Sequence, residues 1–559
     1  MGKSFTLNEQ TTLQQSWSTG PGPADYLYES IPVEERTLAR VWKRRLAAGG
    51  DDEVLSFDGA PYLTAAEMQG QIERWQSILA SIGLTAGDRV AVMLPNQVET
   101  LACFLAATTS SIVVVPINPD FRGDMLHHIL FDSGVMALVT ASASVGQVKS
   151  EWQLPELRTV VLCDSNEVAT DYFGSAEIKF ASEFARSSRV TVSEPRPTDL
   201  AAVMYTSGTT GASKGVLLPH EYFVFYAWSY AFAMGHQPTD VLFTPLPMFH
   251  VNALVVTIFP ALIAGARAVV HRRFSASRFW DQIADSGATH FAGMGTVGNI
   301  LMRRPEDEYR PDHKLRHCHL VPAPDRLTEF EKRFGVPVYY ATYGQTEGQF
   351  VFISRSESPQ PGLLGKLHPY HELAIVDADG RAVPDGTAGE LVIRPTLPNI
   401  MFRGYLGRPE ATLEAFRDLW YHTGDLVLRD ESSDFWFLGR IKDAIRRRGE
   451  NISAVEVEQI ALQHPLAGEA AAVGVASDVG EEEVLLVVTP AVGKQLDAAD
   501  LHAFCVDRMP KFMVPRFIDV RDDLPKNASH KVLKNALRDA GVGLNTFDAE
   551  ATKADIATS

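Results

Sequence analysis

The chain has 559 residues, 45% apolar and 21% charged, the balance of an ordinary soluble globular protein too long for a single core. Roughly three or four compact units are expected. Fifty-one basic against 69 acidic residues give a formal net charge of −18; this argues against a nucleic-acid surface and against attraction to an anionic membrane, and an anionic ligand must therefore be drawn by a local basic site.

Residues 1–20, MGKSFTLNEQTTLQQSWSTG, carry no apolar core of signal-peptide length. From about residue 35 to 440, short β-rich apolar runs alternate with helical stretches. The runs include Arg89 to Leu94, Ile112 to Val115, Ala137 to Thr140, Thr159 to Leu162, Ala268 to Val270 and Val336 to Tyr340; the helical stretches include Ala65 to Ile82 and His220 to Met234. Alternation of this kind predicts parallel α/β sheets covered by helices.

Residues 205–215 read YTSGTTGASKG between two apolar runs, Leu200 to Tyr205 and Val216 to Leu218. Glycines turn a backbone tightly and expose its N–H groups, hydroxyls add donors, and one ammonium adds charge, which is what gripping a polyphosphate requires. A flexible linker is the alternative, but linkers do not usually sit between two apolar strands. A Walker A loop is excluded because Ser213 precedes Lys214 and the chain continues into Val216-Leu217-Leu218. The most apolar run, Ala253 to Ala264, is broken by Pro260 and is too short to span a bilayer.

Between residues 370 and 440 short strands alternate with turn signals (Asp379-Gly380, Pro384-Asp385-Gly386, Gly389-Glu390), predicting a small antiparallel or barrel-like unit. A basic patch, RIKDAIRRRGENIS, then opens a fresh mixed α/β segment to about residue 540. The four cysteines, Cys103, Cys163, Cys318 and Cys505, lie far apart without a C-x-x-C pair and read as isolated thiols in a reducing, cytoplasmic compartment.

Five segments occur in order: YTSGTTGASKG (205–215), YGQTEG (343–348), YHTGDL (421–426), GRIKDAIRRRGENISAVEVE (439–458) and LPKNASHKVLK (524–534). Together they resemble the adenylate-forming superfamily of acyl-CoA synthetases, aryl-CoA ligases, luciferases and peptide-synthetase adenylation domains. The likeness is nearest to ligases of the crotonobetaine/carnitine-CoA ligase type, through RIKDAIRRRGENIS and GYLGRPEATLEAF. It implies an α/β fold. Residues 1–439 would form a large N-terminal domain of two α/β subdomains and a small barrel-like one. Residues 440–540 would form a smaller mobile α+β lid, and 541–559 a disordered tail. The implied reaction turns a carboxylic acid, ATP and CoA into acyl-CoA, AMP and pyrophosphate through an acyl-adenylate.

In that reaction a carboxylate attacks the ATP α-phosphorus, so the site must neutralise two anions and hold them in line. By resemblance, Thr206, Ser207, Gly208, Thr209, Thr210, Gly211 and Lys214 cradle the β- and γ-phosphates. Ala323, Pro324, Tyr343 and Gly344 complete the adenine side, with the Tyr343 ring stacked on the base. Thr346 contacts the α-phosphate, and Glu347 holds Mg²⁺, an ion that prefers hard oxygen ligands. Read alone, residues 343–347 would equally suit a turn followed by a helix N-cap. Asp425 takes the ribose hydroxyls, with Arg440 in support. Lys531 bridges the substrate carboxylate and the α-phosphate, as a compact ammonium with three donors can.

Lys442 occupies the hinge position about which the C-terminal domain would turn, withdrawing Lys531 and admitting thiol beside Gly449, Glu450 and Asn451. The arginines 446–448, Arg446 and Arg448 among them, could meet the CoA phosphates or could form a solvated basic face. His250 stands at the acyl gate, and Asn252, Met294, Gly295, Gly348, Gln349 and Phe350 are pocket candidates by position. Val321, Ala341, Asn527 and His530 depart from the superfamily's pattern. Residues 245–252 lack the Asp with which amino-acid-activating domains pair an α-amino group, which disfavours amino acids. The alternatives are loading of a carrier protein and a non-catalytic nucleotide-binding regulator. Expected partners are the acid, ATP and CoA, with no nucleic acid and no membrane span. Dimers are common in the superfamily, so a homodimer is part of the expectation.

Overall fold

A computed structural model describes residues 28–164, 176–184, 193–206, 213–324, 326–340, 342–353, 360, 362–443, 445–447, 450–476, 482–526 and 532–551, apart from the side chains of residues 145, 446, 450 and 451. The chain divides into two compact units. The first comprises Met1–Pro359, Gly365–Glu372 and Ile393–Tyr421; the second comprises Gln360–Leu364, Leu373–Val392 and His422–Ser559.

The first unit is built on two seven-stranded sheets. One runs Glu177–Phe180, Thr159–Leu162, Ala137–Thr140, Arg89–Met93, Val113–Pro116, Leu200–Thr206, Lys214–Pro219. Its pairs are parallel except the last, which is antiparallel. The other runs Val338–Tyr339, His317–Leu320, His290–Gly293, Val241–Thr244, Arg267–Val270, Glu53–Phe57, Leu63–Thr64, again antiparallel only at its final pair. Strands such as Ala137–Thr140 and Val113–Pro116 are buried at every position, as parallel strands covered on both faces must be.

The helices follow from local sequence. Ala65–Ser81 starts at a capping box in which the Thr64 hydroxyl accepts from Glu67 N–H and the Glu67 carboxylate accepts from Thr64 N–H. His220–Met234 is apolar all round and buried along nearly its whole length, which makes it the central helix of this unit. Its one acid, Glu221, meets Arg36 at 3.0 Å with both side chains buried. Gly235, in the left-handed conformation at φ 62°, ends it.

The second unit carries most of a four-stranded sheet in the order His371–Val376, Gly389–Pro395, Tyr421–Arg429, Phe435–Arg440. It also holds a hairpin of Ile445–Arg447 with Glu450–Ile452, and a further sheet in the order Ala467–Ala476, Glu482–Pro490, Phe517–Val520, Phe547–Asp548. The helices Ala454–Ala461 and Ala498–Val506 bury Val457, Leu501 and Cys505 against that sheet, beside Leu486 and Ile518. This is the small antiparallel region and the α+β domain that the sequence predicts. One expectation is corrected for residues 541–551, the described part of the expected disordered tail: Phe547–Asp548 pairs antiparallel with Phe517 and Ile518. No helix among the described residues is long and apolar enough to cross a membrane.

Candidate active site

The glycine-rich loop joins Leu200–Thr206 to Lys214–Pro219, and these strands pair antiparallel with Thr206 opposite Lys214. Two paired strands therefore flank the loop, with Thr206 and Lys214 at its two ends. Ser207, Gly208, Thr209, Thr210 and Gly211 lie outside the described residues. Gly215 is a packing requirement: a Cβ there would lie 2.8 Å from Val203 Cγ1. Next to the loop, the Tyr205 hydroxyl donates to Asp132 Oδ2 at 2.8 Å, and Arg408 pairs with Oδ1 at 2.6 Å. Burial, then the Asp132 carboxylate, pushes the Tyr205 phenol well above its usual range, so it remains a donor. His128 Nε2 lies 2.9 Å from the Ser213 carbonyl oxygen on the other side of the loop.

The segment 403–406 runs along the outer edge of Lys214–Pro219. Leu217 N–H donates to Gly404 O at 3.0 Å, Arg403 N–H to Leu217 O at 2.9 Å, and Leu406 N–H to Gly215 O at 2.8 Å. Phe402 N–H, one residue upstream, donates to Glu347 O at 3.0 Å.

Thr346 and Glu347 occupy the turn of a hairpin formed by Thr342–Gln345 and Gln349–Ile353, not a helix N-cap. Gly348 N–H closes the turn onto Gln345 O at 3.2 Å. Gln349 is left-handed at φ 61°, a conformation costing a non-glycine residue ~1 kcal/mol or more. Its amide compensates by donating to Tyr222 O at 2.9 Å, and the Tyr222 hydroxyl donates to Thr346 O at 2.8 Å. Thr346 and Gln349 are thus both tied to the central helix. Gly344 is dictated by the hairpin's closeness, since a Cβ there would lie 2.2 Å from Gln349 O. Tyr343 is buried, edge-on to Phe352, and its hydroxyl accepts from Gln345 Nε2 at 3.2 Å. Tyr421 in turn donates to Gln345 Oε1 at 2.8 Å.

His250 and Asn252 are exposed at the start of a short helical turn, and the His250 ring lies 4.6 Å from that of Phe249. Met294 leads into the helix Gly295–Met302. Gly295 lets that helix press against the Pro322–Pro324 segment, because a Cβ would lie 2.2 Å from Pro322 O. Ala323 is half-buried and Pro324 buried in the same segment. Gly348, Gln349 and Phe350 are all buried. The Phe350 ring packs on Tyr226 at 4.2 Å and on Tyr230 at 5.7 Å. Behind it the Tyr230 hydroxyl sits 2.8 Å from His290 Nε2 and 3.0 Å from His319 Nδ1, and His319 Nε2 meets Thr342 Oγ1 at 3.0 Å. Sequence reasoning missed this polar chain, whose members come from a helix and three separate strands.

In the second unit, Asp425 is buried and faces Arg440 across paired strands. The residues before it, inside the strand Tyr421–Arg429, are held by one carboxylate. Glu390 Oε1 accepts from Gly424 N–H at 3.0 Å, and Oε2 lies 2.8 Å from His422 Nδ1; Gly424 itself is at φ 69°. Glu390 is a second residue the sequence reading missed. Lys442 is exposed in the turn Ile441–Asp443. The backbones of Arg446 and Glu450 lie in the hairpin, while Arg448 and Gly449 lie outside the described residues. Arg447 is neither a phosphate-facing nor a solvated cation: it is buried, meets Glu483 at 2.6 Å and donates to Phe512 O and Val514 O. Lys526 pairs with Glu469 at 2.7 Å, and Lys534 with Glu458 at 2.7 Å. Lys531, Asn527 and His530 lie outside the described residues, as does Ala341.

Among the described residues no group of three or more His, Cys, Asp or Glu side chains is arranged to hold a metal ion. A single hard carboxylate at a half-buried turn, Glu347, still fits magnesium, which commonly takes one or two carboxylates together with substrate phosphates.

The chain matches the model of the AMP-binding enzyme family over residues 42–406 and that of the AMP-binding enzyme C-terminal domain over residues 456–531. It is 30% identical over 524 residues to a crotonobetaine/carnitine–CoA ligase of Salmonella heidelberg (strain SL476), covering 90% of this chain and 99% of that one. Among solved structures, an anthranilate CoA ligase in complex with anthranoyl-AMP matches with a TM-score of 0.82 at 21% identity, over 92% of this chain and 99% of the other. The o-succinylbenzoate CoA synthetase of Bacillus subtilis, in complex with its acyl-adenylate intermediate OSB-AMP, matches with a TM-score of 0.75 at 26% identity, over 90% and 98%.

Proposed function

The chain belongs to the AMP-binding enzyme family and is an acid–thiol ligase of its AMP-forming CoA ligase branch, and from that premise we propose how its own residues divide the reaction. A carboxylic acid attacks the ATP α-phosphorus to give an acyl-adenylate and pyrophosphate. The CoA thiol then displaces AMP to give the thioester. Thr206 and Lys214, with the loop between them, hold the β- and γ-phosphates; Thr346 meets the α-phosphate. Glu347 would hold magnesium, which when bound neutralises phosphate charge. Asp425, steadied by Arg440, takes the ribose hydroxyls, and Tyr343 the adenine.

Lys531 supplies the cation between carboxylate and α-phosphate in the first step and leaves for the second as the C-terminal domain turns at Lys442. The pairing of Lys526 and Lys534 with nearby acids supports that choice, since both are already engaged. His250, Asn252, Met294, Gly295, Gly348 and Gln349 would border the acyl group. Arg446, Arg448, Gly449 and Glu450 would lie along the path of CoA.

The observation that carries the reading is the gathering of Lys214 and the Thr346–Glu347 turn onto one stretch of chain, residues 402–406. A phosphate-binding ammonium and a magnesium-binding carboxylate must converge in this way. The test is pyrophosphate release over short, medium, branched and aromatic acids, with and without CoA. Acid-dependent pyrophosphate with CoA-dependent AMP and thioester is the expected result. Acid-dependent pyrophosphate that is never followed by CoA turnover would favour a carrier-protein acceptor, and no AMP from any acid would reject the reading.

A further inference from the structure

Lys214 and Glu347 carry opposite charges, lie in half-buried surroundings, and are both contacted by one tyrosine. The Lys214 Nζ sits over the Tyr405 ring, 4.9 Å from its centroid, and the Tyr405 hydroxyl donates to Glu347 Oε1 at 3.1 Å. We propose that Tyr405 is a positioning residue that holds the ammonium and the carboxylate apart and oriented, so that each meets phosphate or magnesium and not the other. This rests on the phosphate-site reading above and adds to it a residue which that reading leaves without a role.

The argument is electrostatic. An ammonium and a carboxylate in a partly desolvated site attract strongly and would close into an ion pair, which nucleotide and metal would then have to break. A phenol between them offers each a milder partner. Its ring face carries negative charge density and receives the cation, while its O–H satisfies one carboxylate oxygen. Both contacts are weaker than the ion pair they replace, so both charges are kept ordered and remain exchangeable.

The ring can do this because its backbone is fixed on several sides. Tyr405 bridges Val216 in the loop's exit strand, and its N–H donates to Thr412 Oγ1 at 2.9 Å. Its neighbours Gly404 and Leu406 bond to Leu217 and Gly215, and Phe402 bonds to Glu347 itself while packing on the Tyr405 ring at 5.2 Å. Arg408, through Asp132, reaches Tyr205 on the entry strand. One short segment therefore braces the entry strand, the exit strand and the acidic turn, and Tyr405 is where its side chain meets both charges.

Two substitutions separate the ring from the hydroxyl. In Tyr405→Phe the magnesium concentration that half-saturates ATP binding, read by calorimetry, should rise about tenfold, as loss of a hydrogen bond to a charged group does. Its magnesium-free ATP affinity and melting temperature should stay near those of the unsubstituted protein. In Tyr405→Leu the magnesium-free ATP affinity should also drop, roughly fivefold, because Lys214 loses its platform. Combined with Glu347→Gln, Tyr405→Phe should add nothing further to the magnesium requirement.

An unchanged magnesium requirement in Tyr405→Phe, or an equal loss in the Glu347→Gln background, overturns the proposal. Lys214→Ala and Glu347→Gln report on the underlying site. If neither alters ATP binding or its magnesium dependence, the phosphate-site reading is at fault. If they do and Tyr405→Phe does not, the role given to Tyr405 alone is refuted. Should Tyr405→Leu fail to fold, the phenylalanine variant decides by itself.

Discussion

Asp425 and Arg440 are cross-strand partners whose side chains meet at 2.8 Å, Oδ1 to Nε, with the carboxylate buried and the guanidinium partly exposed. An aspartate held this way is a fixed anionic acceptor that loses little entropy when a diol docks. Asp425→Ala should raise the KM for ATP by about tenfold or more, since a hydrogen bond to a charged acceptor is worth ~1.5–3 kcal/mol. Initial-rate kinetics in ATP check this, and an unaltered KM would count against ribose contact.

Glu390 acts on that aspartate through the backbone. Its two oxygens are taken by Gly424 N–H and His422 Nδ1, so Glu390→Gln keeps the shape while weakening both contacts. The expected outcome is a roughly threefold to tenfold rise in the KM for ATP with little change in kcat. An equal fall in kcat at constant KM would place Glu390 elsewhere in the reaction.

Lys531→Ala should slow acyl-adenylate formation by roughly 10²–10³-fold, the usual effect of removing one transition-state donor. Thioester formation from preformed acyl-adenylate should be spared. Equal damage to both half-reactions, measured separately, would reject the assignment.

Proline fixes φ and removes a donor, so Lys442→Pro stiffens the exposed turn Ile441–Asp443. Pyrophosphate release should survive and CoA-dependent turnover should stop. Normal turnover with CoA would dismiss Lys442 as a pivot.

Stability should fall with acid earlier than carboxylate titration alone would produce. Burial holds His319 down to about 3 and His220 and His371 to about 4, and pushes His290 and His368 well below the ordinary value. Unfolded histidines titrate near ~6.5. Above that pH both states are neutral and these groups contribute nothing. Below it the unfolded chain takes up protons that the folded chain refuses, each buried histidine costing up to ~1.4 kcal/mol per pH unit until its folded value is reached. Melting temperature should therefore drop steeply from pH 6.5 towards 4; a flat profile between pH 7 and 5 would contradict the buried neutral assignment.

The sheets were legible because their strands are buried on both faces and so read as continuous apolar runs; Ala137–Thr140 and Thr159–Leu162 begin and end where the runs do. The glycine-rich loop was legible because its whole signature is local. Tyr405 lies inside the GYLGRPEATLEAF run, but its contacts were not legible, since its partners Lys214 and Glu347 are remote in the chain. Glu390 and His422 come together only through strand pairing, which periodicity does not encode. Arg447 misled in the opposite direction: within an Arg-Arg-Arg run it looks solvated, and Glu483, far along the chain, decides otherwise.

Holding the strand that begins at Lys214 between Leu200–Thr206 on one edge and the 403–406 segment on the other has an evolutionary corollary. Successive strand residues point to opposite sides, so a single-residue insertion or deletion between 214 and 219 would rotate the lysine away from its tyrosine or break the clamp. Length changes among descendants of this gene should therefore be absent from the strand 214–219.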